Sequence, residues 1–243
     1  MSRELTGEAP RIPPQGVLAR DRIAVELRDA IVHGRLQPGE RLVEDRIMAW
    51  LEGTRGATRD AFRQLEHEGL VISYPHRGAV VVGVTEDEVH GVLIPIRLVL
   101  EQFGFRTALE VGTTADLAEL ASYIWMMEQA AAAGDIDGVV QADVEFHEAV
   151  LHIAPQFHTI HIWRSIAPRI RAYFYRHSRE RDLDSVVAEH RELLEVLHQG
   201  DEQLLLETLH RHIVVPRVPP EAGSDEAPSD RLASHHVEEG RPA

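Results

Sequence analysis

The apolar pattern of this chain changes character once, near residue 84, and that change restricts it to two bodies of different construction. Before that point the segments are short and end in two β-branched runs; beyond it helical periodicity persists almost throughout. With 243 residues, 44% of them hydrophobic, the chain can build a core in each body. Residues 1–17, with Pro10, Pro13 and Pro14, read as a flexible arm, and residues 216–243 read as a disordered tail. That leaves 18–84 and 85–215 as the two domains. There is no internal repeat.

Composition removes several classes of function. Cysteine is absent, which excludes disulfides, thiolate metal sites and cysteine nucleophiles, whereas 15 histidines leave imidazole and carboxylate metal chemistry open. No run of about 18 apolar residues occurs, and MSRELTGEAPRIPPQG has no stretch suited to a signal peptide, so a soluble cytoplasmic protein without a membrane partner is expected. A net charge of −15 speaks against nucleic acid only when taken as one figure. Residues 18–84 carry ten Arg against ten acidic residues, so the acidic excess lies elsewhere. All 25 basic residues are Arg, a bias that suits a GC-rich genome and also supplies the better fork for guanine and phosphate.

In the first domain, Ile23, Leu27, Ala30 and Ile31 share one face of a helix over Leu18–His33 that stops at Gly34. QPGE at 37–40 is a turn. A short helix follows over Glu44–Leu51, then a third over Thr54–Glu68, with Thr54 as N-cap and Gly69 as stop. LVISYPHRGAVVVG at 70–83 places two β-branched runs around Pro75–Gly78, a hairpin signature. Three helices and a hairpin make a winged helix-turn-helix. On the third helix Arg55, Arg59 and Arg63 recur every four residues and form one stripe. On an isolated helix that stripe reads first as a solvated face. Between a short helix and a hairpin it reads as a surface for the major groove, with Thr54 and Arg55 near a phosphate and Arg59 within reach of a base edge. Ala61, Phe62 and Leu65 point inward.

The segments LRDAIVHGRLQPGERLVEDRIMAWL, TRGATRDAFRQLEHEGLV and YPHRGAVV together resemble the DNA-binding domain of the GntR family of transcription regulators. The G-x-L-x-P-G-x-x-L and L-x-x-E-G-L-V elements carry the resemblance. It implies DNA contacts at Arg46, Thr54, Arg55, Gly56 and Arg59, with Gly78 at the tip of the wing. It also implies a homodimer on a near-palindromic operator in double-stranded DNA. Gly56, Ala57 and Thr58 depart from the residues usual in that family and bear on which operator is read.

The second domain opens on Thr85 as an N-cap, followed by Val89, Val92, Leu93, Ile96 and Leu100 at helical spacing, with Pro95 expected to kink or restart the helix. Further helices are expected near 114–133, 136–152, 156–177, 183–199 and 201–214. The fold class is therefore mainly α: the winged helix-turn-helix plus an all-α antiparallel bundle able to enclose a ligand. Asp143 and His147 are four residues apart and project from one face, where both can hold an ion. His190 and His212 stand on other amphipathic helices. Singly, each histidine reads as a surface or core residue; as a set with Asp143 they suit Zn²⁺, Ni²⁺, Fe²⁺ or Mn²⁺ with coordination positions left open.

Arg97-x-x-x-Glu101, Asp143-x-x-Phe146-His147, Glu189-His190-x-x-Leu193 and Gly200-Asp201 before His212 resemble the FCD ligand-binding domain of the FadR subfamily. The resemblance implies that Asp143, His147, His190 and His212 bind a divalent transition metal, with His210 as a possible substitute for His212. Arg97 becomes a candidate to hold the carboxylate of a small organic-acid effector or, equally, to pair with Glu101. Ala154-Pro155-Gln156 stands where that family usually has an Asn. His152, His158 and His161 read as packing or surface residues. The expected function is a ligand-responsive DNA-binding regulator, a repressor and not an enzyme. Two alternatives stay open on the residues: a metal-free pocket for an acyl thioester, and a metal-dependent hydrolase with Glu148 as its base.

Overall fold

The computed structural model describes residues 18–74, 78–153, 157–177 and 182–214. The two expected arms, the wing tip at 75–77 and the segment Ala154-Pro155-Gln156 lie outside the described residues.

The N-terminal body contains α1 (Ala19–Val32), β1 (Arg41–Leu42), α2 (Glu44–Trp50), α3 (Arg55–His67), β2 (Val71–Tyr74) and β3 (Gly78–Val81). Ile23, Leu27, Leu36, Leu42, Ile47, Leu51, Leu65 and Val81 make its core, each no more than 2% exposed. Thr54 caps α3 by accepting a hydrogen bond from the Ala57 N–H, and the chain leaves that helix through Gly69 in the left-handed region. The hairpin is the expected one, but the sheet has a third strand. β1 pairs antiparallel with β3, giving the order β1-β3-β2. Two residues are too short to show a period, which is why β1 leaves no sequence signal. Gly78 has a packing role of its own: its φ is +82°, and a Cβ there would lie 2.1 Å from the Leu42 carbonyl oxygen.

The C-terminal body runs α4 (Glu86–Glu88), a π turn (Val89–Leu93), α5 (Ile94–Val111), α6 (Thr114–Ala132), α7 (Ile136–His152), α8 (Phe157–His177), α9 (Leu183–Gln199) and α10 (Glu202–Ile213). Thr85, Thr113, Asp135, Asp182 and Asp201 cap five of these helices with their side chains, so most boundaries fall within a residue or two of expectation. The irregularity expected at Pro95 falls one turn earlier. Pro95 has no N–H to donate to the Gly91 carbonyl, and a wider turn before it accommodates the missing bond. α7 packs against α5, α6 and α8, while α10 closes against α5 and α9. Phe105, Met127, Phe146, Trp163, Leu193, Leu205 and Leu209 fill the centre. Among the described residues no helix is long and apolar enough to cross a membrane.

The two bodies meet along α1 and α8. Arg171 lies 3.5 Å from Asp29, His33 Nε2 contacts Asp137 Oδ1 at 2.5 Å, and the His33 ring meets the Tyr175 ring edge-on at 4.6 Å.

Candidate DNA-reading face and candidate metal centre

α3 turns Thr58, Ala61, Phe62 and Leu65 into the N-terminal core, as its periodicity predicts for the last three. Its opposite face carries Arg55, Arg59 and Arg63, all exposed, with Gly56 exposed at its start and nothing within 4 Å of where a Cβ would be. Arg46 is exposed on α2. The structure thus brings Thr54, Arg55, Gly56 and Arg59 onto one end of one helix. Gly78 is set apart, buried where β3 crosses Leu42.

Sequence reasoning missed what the arginines touch. Arg59 donates through Nε to Glu44 Oε1 at 2.8 Å, and Arg55 Nε lies 3.9 Å from the other oxygen of the same carboxylate. Arg55 Nη2 also meets Asp45 Oδ1 at 2.7 Å, and Arg63 pairs with Asp60 one turn back. Glu44 and Asp45 register in the sequence only as acidic residues opening a helix, and their partners are ten to fifteen residues away.

In the bundle, α7, α9 and α10 bring Asp143, His147, His190 and His212 together, with one ligating atom from each within 4.8 Å of the others. His147 and His212 present their Nε2 atoms to each other at 3.0 Å, and His190 Nε2 lies 3.2 Å from Asp143 Oδ1. His210, two residues before His212, is exposed and outside the cluster. Each histidine is held from behind. The Nδ1 of His190 donates to the Val186 carbonyl at 2.8 Å, that of His212 meets Glu189 Oε2 at 2.9 Å, and that of His147 lies 2.5 Å from Glu101 Oε2. Carbonyls and carboxylates accept, so the His190 and His212 rings carry their protons on Nδ1 and turn their Nε2 lone pairs inward. Three imidazole Nε2 atoms and a carboxylate then converge, and His190 Nε2 is buried without a hydrogen-bond partner among the described residues. Such a set of imidazole nitrogens and a carboxylate, buried and converging, fits a divalent transition metal.

Arg97 and Glu101, one turn apart on α5, form a buried pair at 2.6 Å, so the salt-bridge reading of Arg97 holds in this structure. Arg97 is 2% exposed, lies over the rings of Trp163 and Phe174, and leaves Nη2 without a hydrogen-bond partner. Trp163 Nε1 is likewise buried, and neither atom has a hydrogen-bond partner among the described residues. Burial opposes ionisation of Glu101, but Arg97 and His147 outweigh it and hold the carboxyl down at about 2. Burial pushes His212 down to about 3 against the Glu189 hydrogen bond, and burial also lowers His147 despite Glu101. Asp143 stays below the ordinary carboxylate range: burial is countered by His190 first, then His147 and Arg97. Burial thus favours the neutral rings of His147 and His212, the form that can ligate a metal. Trp163, and the placing of Glu101 and Glu189 against ring nitrogens, are contributions that the sequence did not single out. Glu148 is tied to Arg164 and His152 instead of facing the cluster, while His158 and His161 are exposed.

Two family models match the chain. Residues 19–81 match the family model described as bacterial regulatory proteins, gntR family, and residues 93–214 match the FCD domain. The gluconate operon transcriptional repressor of Bacillus licheniformis is 27% identical over 197 residues, covering 79% of this chain and 80% of the repressor. The galactonate operon transcriptional repressor of Escherichia coli K12 is 28% identical over 204 residues, covering 74% and 87%. Among solved structures, E. coli McbR/YncC superposes with a TM-score of 0.70 at 20% identity, over 81% of this chain and 94% of that one, and so shares the fold. The chain belongs to the GntR family of bacterial transcription regulators, with an FCD domain as its C-terminal half.

Proposed function

We propose that this protein is a cytoplasmic repressor that binds a near-palindromic operator as a homodimer and answers to a small organic acid at a metal centre in its FCD domain. The observation that carries the sensing half is the buried Asp143/His147/His190/His212 cluster beside the unpaired Nη2 of Arg97. These four side chains would hold Zn²⁺, Ni²⁺, Fe²⁺ or Mn²⁺, and the bound metal would supply a Lewis-acidic centre for an anionic ligand. Arg97 Nη2 and Trp163 Nε1 are two buried donors without acceptors among the described residues, and an organic-acid carboxylate provides acceptors in pairs. Two relatives are named for operons of gluconate and galactonate, both sugar acids, which supports that class of effector.

For the DNA half, Arg46, Thr54, Arg55, Gly56 and Arg59 would contact the operator, with Gly78 shaping the wing. α8 supports coupling between the halves. Trp163 and Phe174 lie against Arg97, and Arg171 and Tyr175 on the same helix lie against Asp29 and His33 of α1. An effector that repositions Arg97 therefore acts on a helix that already touches the DNA-binding body.

The test is metal analysis of the purified full chain, followed by a thermal-shift screen with gluconate, galactonate and other small carboxylates. About one divalent ion per chain is expected, with a Tm increase for at least one acid that also weakens operator binding. Absence of bound metal together with no response to any acid would overturn the sensing reading.

A further inference from the structure

The ion pairs beneath the arginine stripe carry information about how DNA is read. Resting on the proposal that α3 enters the major groove, we infer that Glu44 is a specificity-determining positioning residue, which orients Arg59 so that its terminal nitrogens read a guanine. Glu44 is the protected member of the cluster: its side chain is 17% exposed, against 48% for Arg59 and 57% for Arg55. Its carboxylate anchors Arg59 at Nε and approaches Arg55 at Nε. A guanidinium gripped at Nε keeps both terminal nitrogens parallel and directed away from the grip. Those of Arg59 have no protein partner among the described residues.

Of the four base edges in the major groove, guanine alone offers two adjacent acceptors, O6 and N7, which is what such a fork fits. The alternative use of an exposed arginine is to bind any phosphate as a point charge, which gives affinity without discrimination. Glu44 works against that use twice. It restrains Arg59 from swinging to the backbone, and it places a negative charge where phosphates approach. Ten acidic residues balancing ten arginines in residues 18–84 fit a domain that limits its unselective affinity in this way.

A positioning role predicts that specific and unselective binding move in opposite directions, which a merely structural role would not produce. The wild-type full chain would first select 30-base-pair duplexes from a randomised pool. Affinities of wild type, Glu44→Gln, Glu44→Asp and Arg59→Ala would then be measured against the selected duplex, the same duplex with each G·C pair changed to A·T, and an unrelated duplex, across a salt series. Glu44→Gln is expected to lower the ratio of selected to unrelated affinity about tenfold, with discrimination lost at one G·C pair per half-site, while unrelated DNA binds more tightly with a steeper salt dependence. Glu44→Asp retains the charge but shortens the reach, so it should lose the same discrimination without gaining unrelated affinity; it also decides the matter if Glu44→Gln does not fold. An unchanged ratio in a folded Glu44 variant, alongside a clear loss in Arg59→Ala, would overturn the role of Glu44 alone. No effect of Arg59→Ala, or no sequence recovered from the pool, would instead remove the reading of α3 on which it rests.

Discussion

The outer face of α3 and the heart of the bundle both set positive groups against carboxylates, yet the two arrangements behave differently because one lies in water and the other does not. Around Arg55, Arg59 and Glu44, solvent screens each pair, so each contributes little to the stability of the fold. Around Arg97, Glu101, His147 and His212, burial makes each unpaired charge expensive, so removing one partner of a pair should be costly. The exposed pairs are weakly coupled to folding, and the buried ones strongly coupled to it.

This contrast can be broken most directly at Arg97. Replacing Arg97 with Met strands Glu101 as an uncompensated buried charge, and a loss of about 3–5 kcal/mol is expected in urea unfolding. A loss near that of a surface pair would show that water reaches the site. Acid is the next lever, applied to protein stripped of metal. His212 is pushed from an ordinary value of 6.5 to about 3, so between those values the unfolded chain takes up a proton that the folded chain refuses. Stability should therefore fall as the pH drops below 6.5, by up to about 1.4 kcal/mol per pH unit from this group. Glu101, held at about 2 against an ordinary 4.5, adds a further loss below pH 4.5. A Tm that stays level between pH 7 and pH 5 would contradict the burial of the cluster.

On the exposed side the effects should be smaller and should appear in DNA binding more than in folding. Arg59→Ala is expected to weaken specific binding by about 1–3 kcal/mol, read by titration of the selected duplex, with Tm almost unchanged. Arg63, whose one-turn pair with Asp60 is open to solvent, should matter least. Arg63→Ala should change stability by less than about 0.5 kcal/mol and reduce affinity for all duplexes alike, with the salt slope falling by about one. A sequence-dependent effect at Arg63 would mean that the reading face extends a turn further along α3.

Much of this was legible before any coordinates. Periodicity and caps place the helices of both bodies, because an apolar stripe at helical spacing must be buried and Thr54, Thr85 or Asp201 must satisfy the free N–H groups of the turn that follows. The arginine stripe follows from spacing alone. The quartet of Asp143, His147, His190 and His212 required a resemblance to a known family, since only its first two members are close enough in the chain to show a shared face. The choice between His212 and His210 shows the limit most clearly. Residues two apart on a helix project about 200° apart, so one must face the bundle and the other must not, yet nothing local says which.

Local chemistry, then, sufficed for the winged helix-turn-helix and the helical bundle. Packing between distant segments supplied the remainder. It set His212 against His147 and left His210 outside, placed Glu101 and Glu189 behind ring nitrogens, paired Arg97 with Glu101 beneath Trp163, and put Glu44 under Arg59. The physical reason is range. Turn and helix signals act over a few residues and survive in the sequence, whereas protonation, tautomer and pairing depend on burial, which exists only once the chain has closed on itself.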